Sequence, residues 1–459
     1  MTEKTVCDIV VVGGGIAGLT AALSAHQAGA TVVLLEKLDS VGGSSAMSGG
    51  FIAFSGTDEQ HQREVSDSTE LFRADLLALG GGAADTRLVD AYLANQHDTY
   101  RWLKANGVEF DDVEISSGQS AIRSHHTDIR SVLGLFADRF VEAGGTLLLG
   151  CAARSLSTDA NGAVIGVVAE RNGQRTELVA SAGVVLASGG FSRGVDLLQT
   201  FAPAQLKAIP YGGLGNTGDG LKMAWRLGAG MADMGYITGT YGSHPDTGPE
   251  FHELLTAYYM GAIIVNERGE RFVDESRSYK VLGRECLKQP RGLGFEVFDR
   301  RVRAKSHAIP LSDIEMLENI GHVFKADTLA ELARCAGIDE AGLLATVASY
   351  NASARGETAD SFGRTSLVNG VGDLLTVEEG PFYAYPAKTL MTTTYCGLTI
   401  TPDAEVRRVD GSLIPGLYAI GEVTGGFHGE AYMTGTSLGK GAVFGRIAAR
   451  QLTKSLVGS

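Results

Sequence analysis

The chain has 459 residues, which suggests about two to four domains or one large domain with an insertion. Its formal net charge of −14 at pH 7 argues against nucleic acid or an anionic membrane surface as a partner. No apolar stretch reaches the roughly eighteen residues of a membrane span, and the five cysteines form no C-x-x-C pair. We therefore expect a cytoplasmic enzyme with reduced thiols, without a signal peptide and without a metal site.

A dinucleotide-binding pattern lies at the start of the sequence. An apolar run over residues 8–12 leads into Gly13-Gly14-Gly15-Ile16-Ala17-Gly18, and a second apolar run over residues 31–35 ends at Glu36. The order of strand, glycine-rich turn, helix, strand and acid predicts that a pyrophosphate binds at this turn.

Each glycine of this pattern has its own expected role. Gly13 permits a tight turn, Gly15 lets the backbone approach the phosphates, and Gly18 lets a helix over residues 19–28 pack closely on the sheet. The N-terminal N–H groups of that helix would face the anion. We expect Glu36 to accept hydrogen bonds from a ribose.

The rest of the sequence alternates between helical and strand patterns separated by glycine-rich turns. The segment over residues 41–51 is rich in small residues whose hydroxyls and amides could line a cofactor. The predicted elements are two helices within residues 66–105, a helix over 129–143, strands over 147–149 and 163–170 with turns at Asn161-Gly162 and Asn172-Gly173, a strand over 183–187, a helix over 221–227, a strand from 416 and a last helix over 437–452.

The pattern changes over residues 240–380, where aromatic residues and charged helices replace the glycine-rich turns. We interpret this stretch as an inserted cap domain that contacts the substrate. The predicted domains are therefore a first part of a nucleotide-binding domain over residues 1–239, the cap over 240–380, and the second part over 381–459.

Glycine-rich turns that recur late in the chain distinguish between the two common dinucleotides. Strands ending near Gly189 and Glu422, and the turn near Thr434, suit a long cofactor that runs across the sheet to a ring at its far end. The sequence holds a single G-x-G-x-x-G pattern, so no second nucleotide domain is visible. These features favour FAD over NAD.

Six segments in chain order then point to one family: Val11–Gly18, Gly42–Ser45, Leu186–Phe191, Thr217–Gly220, Val265–Glu275 and Gly416–Gly426. On these segments the chain resembles the flavoprotein family of fumarate reductases, succinate dehydrogenases and 3-ketosteroid dehydrogenases. The resemblance implies an α/β fold of the GR2 flavoprotein type, in which a Rossmann-like FAD-binding domain is interrupted by an α+β cap, and a site where cap and flavin meet.

The same resemblance implies how FAD is held. Covalently flavinylated members carry a histidine in the segment that matches residues 43–50, and this sequence has none there, so we expect non-covalent FAD. The expected cofactor contacts are Gly13, Gly15, Ile16, Ala17, Gly18, Glu36, Lys37, Gly43, Ser44, Ser45, Ser48, Gly49, Gly50, Ala153, Ser188, Gly189, Gly190, Asn216, Asp219, Gly421, Glu422, Thr436, Ser437 and Leu438.

The sequence departs from the fumarate-reducing members at their substrate clamp. An ungapped count from Asn266 places their acid arginine at Tyr279 and a second carboxylate-binding arginine at Tyr258, and a third arginine corresponds to Tyr432. Their histidine before the next strand appears as Thr393 or Thr394. Three tyrosines in place of three arginines predict that dicarboxylates do not bind, and they resemble the tyrosine-lined sites of ketosteroid dehydrogenases, where a tyrosine and a backbone N–H bind a ketone oxygen.

Desaturation next to a ketone needs a base for the α proton, an acceptor for the β hydride and donors for the enolate oxygen. We expect Tyr432 and the Gly435 N–H to be the donors. Tyr279 is the expected base, because neighbouring cations lower the pKa of a phenol. Tyr258 and His126 are the other candidates for the base.

Four residues are candidates for substrate contacts, and one of them, His126, is also a candidate base. Arg123 could pair with a carboxylate on a keto acid, His126 lies in a loop that matches a substrate-facing family segment, and Tyr259 and His244 lie in the predicted cap.

The leading prediction is an FAD-dependent dehydrogenase that acts on CH–CH groups, takes the α proton and passes the β hydrogen as hydride to the flavin. A cyclic ketone or keto acid, such as an oxocyclohexanecarboxylate or a 3-ketosteroid, is the expected substrate. An external acceptor, either oxygen, a quinone or a carrier protein, would reoxidise the flavin. The alternatives are an enoate or enone reductase of the fumarate reductase type and a flavoprotein subunit of an electron-transfer complex.

Overall fold

The computed structural model describes residues 3–237, 239–248, 253–308, 312–368 and 370–457. The residues group into two units by their internal contacts. The first unit comprises Met1–Ala202, Gly212–Ile237 and Thr393–Ser459, and the second comprises Pro203–Tyr211 and Thr238–Thr392.

Both units contain helices and strands. The strands are, in chain order, β1 Glu3–Val12, β2 Val32–Leu35, β3 Phe51–Ala53, β4 Asp112–Glu114, β5 Ser124–His126, β6 Thr146–Leu148, β7 Cys151–Thr158, β8 Val164–Arg171, β9 Gln174–Leu186, β10 Ile209–Pro210, β11 Met231–Ala232, β12 Thr240–Ser243, β13 Ile263–Val265, β14 Leu293–Asp299, β15 Phe324–Ala326, β16 Phe382–Met391, β17 Gly397–Leu398, β18 Glu405–Arg407 and β19 Leu413–Ala419. The helices are α1 Ile16–Gln27, α2 Asp58–Gln62, α3 Thr69–Leu79, α4 Thr86–Ala105, α5 Ile129–Glu142, α6 Val195–Phe201, α7 Asp219–Trp225, α8 Ala257–Met260, α9 Tyr279–Leu287, α10 Arg300–Arg303, α11 Ile314–Asn319, α12 Leu329–Ala336, α13 Glu340–Ala354 and α14 Thr436–Val457.

A parallel sheet in the order β19-β9-β1-β2-β6 forms the centre of the first unit. Its strands are buried apolar runs, as parallel strands covered on both faces usually are, and Val10 and Val11 of β1 have no exposed surface. The antiparallel strands β8 and β7 extend the sheet from β9, and β18 extends it from β19. The predicted α/β fold with a Rossmann-like sheet is confirmed.

Local patterns located most elements of this unit correctly. Helices α3, α4 and α5 lie where the helical spacing predicts them, and the Asn172-Gly173 turn joins β8 to β9. Aspartate and serine side chains accept hydrogen bonds from the first backbone N–H groups of these helices, at Ser68, Asp85 and Asp128. These N-caps explain where the helices begin.

The second unit is built around β16. This strand pairs with β14, β12, β15 and β10, and β14 pairs in turn with β13. The predicted domain boundary at residue 381 lies just before β16 and assigns that strand to the nucleotide-binding domain, whereas its hydrogen bonds place it in the second unit. Strand pairing is non-local, so the loss of glycine-rich turns could not mark this boundary.

The two faces of the β16 sheet differ in chemistry, because side chains alternate across a strand. On one face Val297 and Ala384 pack with aliphatic residues of α12 and α13. On the other face Glu296 is the cross-strand partner of Tyr385, near Tyr241. Burial raises the pKa of Glu296 well above its usual range, which favours the neutral form of this carboxyl group.

Buried ion pairs brace the segment between β13 and α9. The Arg271 guanidinium pairs with Glu275 at 2.6 Å and with Asp360 at 2.5 Å. Arg364 pairs with Glu275 at 3.2 Å and donates to the backbone carbonyl of Tyr258 at 2.8 Å. Because every charge in this cluster has a partner, its desolvation cost is offset and the backbone around Tyr258 is fixed.

None of the helices in the described part of the chain has both the length and the apolar character that crossing a lipid bilayer requires.

Candidate active site

The turn between β1 and α1 has no space for side chains. Gly13 has a φ of 114°, and a Cβ atom there would lie 2.3 Å from the carbonyl oxygen of Ala187. A Cβ atom on Gly18 would lie 1.8 Å from the carbonyl oxygen of Gly13. The glycines therefore allow the end of β1, the first turn of α1 and the segment after β9 to meet.

Glu36 supports this turn from the end of β2. Its carboxylate, 8 % exposed, accepts the Gly14 N–H at 2.8 Å on one oxygen and the Leu38 N–H at 2.8 Å on the other. Each oxygen keeps a lone pair for a further donor. The expected hydrogen bond to a ribose stays a prediction.

A chain of hydrogen bonds continues from α1 through residues distant in sequence. Ser45 accepts the Ile16 N–H at 3.1 Å, and the adjacent Ser44 hydroxyl accepts from the Asn216 amide at 3.0 Å. The same amide donates to Glu422 at 3.0 Å. The other carboxylate oxygen of Glu422 accepts the Thr394 N–H at 3.0 Å.

Lys37 forms a second link between early and later segments. Its ammonium group contacts Asp219 and Thr217, each at 2.7 Å. Asp219 is the first residue of α7, where a carboxylate interacts favourably with the helix dipole. The structure thus brings together predicted cofactor residues from five separate stretches of sequence.

The hydrogen-bond donors that have no acceptor at this turn, among the described residues, suit a bound dinucleotide. Within the described ranges, the N–H groups of Gly15 and Ala17 at the start of α1 have no acceptor, and the Ser188 hydroxyl is buried without a partner. Free donors at a helix N-terminus are what a bound diphosphate needs. The expected set would hold the cofactor here, and the predicted contact at Ala153, which lies opposite Ala169 in the β7–β8 pair, stays a prediction.

The start of α14 carries the predicted ketone-oxygen donors. Gly435 has a φ of 88°, and a Cβ atom there would lie 2.7 Å from the Ala53 nitrogen. Its own N–H has no acceptor within the described part of the chain. Tyr432 is half-buried, and its ring stacks on that of Tyr395 at a centroid distance of 4.4 Å. The His428 Nε2 lies 3.0 Å from the Thr436 hydroxyl at the first turn of the helix.

The other candidate tyrosines lie in the second unit. Tyr279 begins α9, and its N–H donates to the Tyr259 hydroxyl at 3.1 Å, which in turn donates to the Arg277 carbonyl at 2.9 Å. Burial lowers the pKa of the adjacent Lys280 to about 8. Tyr258 has no exposed surface, and burial raises its pKa well above 10, which does not favour it as a base.

Arg123 is committed to carboxylates of its own chain. The guanidinium is fully buried, pairs with Asp67 at 2.6 Å and with Asp75, and lies over the Phe72 ring at 4.7 Å. This geometry gives no support to the prediction that Arg123 pairs with a substrate carboxylate. His126 is more accessible, with its Nδ1 2.6 Å from the Asp111 carboxylate.

His244 belongs to a pair of imidazoles that the sequence did not indicate. Its ring stacks on His322 with centroids 3.8 Å apart and planes at 4°, and His322 Nδ1 lies 2.5 Å from the Glu253 carboxylate. The ligand atoms of these three residues lie within 4.8 Å of one another. However, parallel rings direct their lone pairs side by side, and His244 Nδ1 already accepts the Asp246 N–H at 3.2 Å, so the arrangement is not that of a metal centre.

The pH response of this pair follows from the same geometry. Burial, and then the neighbouring His322, lower the pKa of His244 to about 4. His244 is therefore a neutral imidazole near neutral pH.

Two residues near the flavin segments were missed as site residues. Thr394 accepts the Phe191 N–H at 3.4 Å besides donating to Glu422, and Tyr395 lies under Tyr432. The run of hydroxyl residues Thr392–Tyr395 before β17 is the sequence signal that could have identified these two residues. No sequence signal pointed to His322, because only the fold brings it next to His244.

Comparison with known proteins supports the cofactor and the chemistry. The family described as an FAD binding domain matches residues 8–438. Urocanate reductase of Eggerthella lenta is 32% identical over 96% of this chain and 73% of its own length. The open conformation of a flavocytochrome c3 fumarate reductase superposes with a TM-score of 0.85 and 28% identity, over 98% of this chain and 78% of that one.

A ketosteroid enzyme is also similar. The 3-ketosteroid-Δ4-(5α)-dehydrogenase of Rhodococcus jostii RHA1 has a TM-score of 0.76 and 27% identity, over 98% of this chain and 97% of that one. The chain therefore belongs to the FAD-binding flavoprotein family that contains fumarate reductases and 3-ketosteroid dehydrogenases. It is an FAD-dependent oxidoreductase that acts on carbon–carbon bonds.

The steric argument at the first turn yields a prediction. We expect Gly18→Ala to weaken FAD binding by roughly ten- to hundredfold, because the new methyl group must displace backbone at a cost of about 1–3 kcal/mol. Fluorescence titration of the apoprotein with FAD measures the dissociation constant.

Gly134→Ala is the matched control, since a Cβ atom at this helical glycine of α5 meets nothing within 4 Å. It should leave FAD binding unchanged and stabilise the protein by about 0.5–1 kcal/mol. Equal FAD affinity in the Gly18→Ala variant and the wild type would contradict the steric argument.

Proposed function

We propose that this oxidoreductase is a dehydrogenase that desaturates the carbon–carbon bond next to a ketone, in a cyclic ketone or keto acid of the oxocyclohexanecarboxylate or 3-ketosteroid type. One observation carries the proposal. Tyr432 and the Gly435 N–H, which lacks an acceptor among the described residues, lie just before α14, where the family's fumarate-reducing members have an arginine.

The donors at this position match the charge that the reaction creates. Loss of the α proton turns a neutral ketone into an enolate, whose oxygen needs hydrogen-bond donors already in place. A hydroxyl and a backbone N–H at a helix N-terminus provide two, and the dipole of α14 adds a favourable field. Neither donor carries the full charge that would hold a carboxylate.

Tyr279 is the proposed base. The usual pKa of a phenol is about 10 and must be lowered for the group to act as a base near neutral pH. The cations that could lower the pKa of Tyr279 are its sequence neighbours Lys280 and Arg277. Its position at the start of α9 is fixed through the Tyr259 hydroxyl. Tyr258 and His126 are the alternative bases, and the cap role of residues 240–380 is part of the proposal.

FAD, held non-covalently, would supply the acceptor for the β hydrogen as hydride. The reduced enzyme would then pass electrons to an external acceptor, either oxygen, a quinone or a carrier protein. This direction distinguishes the proposal from the second candidate, an enoate or enone reductase, which the similarity to urocanate reductase and a fumarate reductase favours. A flavoprotein subunit of an electron-transfer complex is the third candidate.

We expect FAD to be released when the protein is precipitated with acid or heat, because residues 43–50 contain no histidine. The flavin absorbance of the supernatant and of the redissolved pellet measures the distribution. Flavin that remains in a washed pellet would mean a covalent bond.

Anaerobic flavin bleaching with a substrate panel tests the direction and the substrate class. Cyclic ketones and keto acids should bleach the flavin, and fumarate with reduced viologen should show no turnover, because an unpaired carboxylate in a partly dry site is costly. Efficient fumarate reduction, without bleaching by any ketone, would support the reductase instead.

The two tyrosines have different expected effects. Tyr432→Phe should slow flavin reduction by about a hundred- to a thousandfold through the loss of one enolate donor. Tyr279→Phe should slow it further, leave ligand binding largely intact, and remove one ionisation from the pH profile of the rate.

Tyr418→Phe in β19 and Tyr383→Phe in β16 are matched controls in the first and second units, and neither should change the rate. Near wild-type reduction in both test variants with a good ketone substrate would show that these roles are misassigned.

A further inference from the structure

Tyr395 has a strained backbone. Its φ is 53°, in the left-handed region that bulky side chains avoid. The other non-glycine residues with positive φ in the described part of the chain are Glu64, Asn172, Asp233, Arg291 and Ala404, so Tyr395 is the one aromatic among them. Tyr395 is also buried, at 6 % exposed, so the strained backbone lies in the protein interior.

The residues on either side hold this conformation in place. The Thr394 N–H donates to Glu422, and the Thr394 hydroxyl accepts the Phe191 N–H. Two residues after Tyr395, Gly397 begins β17, which pairs with β11. Strain of this kind persists when the surroundings over-determine it, and it occurs most often at functional sites.

The strained conformation places the Tyr395 ring against Tyr432. The two rings stack with centroids 4.4 Å apart and planes at 19°. The His428 ring lies edge-on to both, at 5.2 Å from Tyr395 and 6.1 Å from Tyr432. His428 is itself held by Thr436. The proposed oxyanion donor is therefore supported on two sides.

The two tyrosine side chains also interact electrostatically. Burial, and then the neighbouring Tyr432 side chain, raise the pKa of Tyr395 well above 10. Tyr395 therefore keeps its proton throughout the working pH range, and its hydroxyl can donate a hydrogen bond. A hydroxyl that accepts a hydrogen bond is polarised and has its own proton free for another acceptor.

We propose that Tyr395 is a positioning residue that donates a hydrogen bond to the Tyr432 oxygen and so directs the Tyr432 proton toward the oxygen of the substrate. The proposal rests on the proposed function, in which Tyr432 binds a ketone oxygen. Tyr395 acts on the reaction through Tyr432. The strained backbone is the consequence of bringing its ring beneath that of Tyr432.

A double-mutant cycle tests this dependence. Anaerobic flavin reduction is measured for the wild type, Tyr395→Phe, Tyr432→Phe and the double variant, with a ketone that the panel identifies. Tyr395→Phe keeps the ring stack, loses one hydrogen bond and should slow reduction about tenfold. In the Tyr432→Phe background the same change should slow it less than about twofold, since the two residues act as a unit.

A ligand-binding measurement tests the role of Tyr395 without enzyme turnover. The probe is 4-nitrophenol, whose anion resembles an enolate, and the measurement is the pH midpoint of its ionisation when bound. The wild type should bind the anion preferentially and lower that midpoint, and Tyr395→Phe and Tyr432→Phe should each raise it toward the value in water. Tyr418→Phe should leave it unchanged.

The outcomes separate the two proposals. A wild-type protein that leaves the midpoint of the bound phenol unshifted would overturn the proposed oxyanion site and this inference with it. A shift that is lost in Tyr432→Phe but retained in Tyr395→Phe would overturn the inference alone, as would an equal slowing by Tyr395→Phe in both backgrounds. Tyr395→Asn, which tolerates the left-handed backbone, should slow reduction at least as much as Tyr395→Phe, and a smaller effect would also overturn it.

Discussion

The absence of side chains at Gly13 and Gly18 is the steric constraint on which the first unit depends. With a Cβ atom at either position, the end of β1, the start of α1 and the segment after β9 could not approach one another as closely as they do. The same close packing continues to α14, because a Cβ atom at Gly445 would lie 2.8 Å from the Ala17 carbonyl oxygen. The position of α14, and with it that of Tyr432 and Gly435, therefore follows from glycines of the first turn and the last helix.

Hydrogen bonds between side chains then turn this packed frame into a polar site. Asn216 joins Ser44 to Glu422, and Glu422 holds the backbone of Thr394, so residues far apart in sequence fix one another. In a largely dry interior such groups must all be satisfied together, since one unpaired member costs more than a hydrogen bond gains. The strain at Tyr395 is tolerable because this network already holds its neighbour.

How much could be predicted from the sequence depended on whether the signal was local. The glycine turn, helices α3–α5 and the β8–β9 turn are encoded by adjacent residues, and all were located correctly. The placement of β16 in the second unit, the burial of Arg123 between Asp67 and Asp75, and the stack of Tyr395 on Tyr432 depend on contacts between distant segments. Residue type and family resemblance identified Tyr432 as a candidate site residue, but they could not show that the Tyr395 ring lies beneath it.

Charge explains why tyrosines in place of arginines matter to the chemistry as well as to the substrate. The buried Arg123, Arg271 and Arg364 are each neutralised by carboxylates of their own unit. A free arginine at the site would attract a dicarboxylate before any reaction, and so would stabilise the ground state and the transition state alike. Hydroxyl and N–H donors bind a neutral ketone weakly and an enolate strongly. On the proposed assignment, their interaction energy therefore appears mainly where it lowers the barrier.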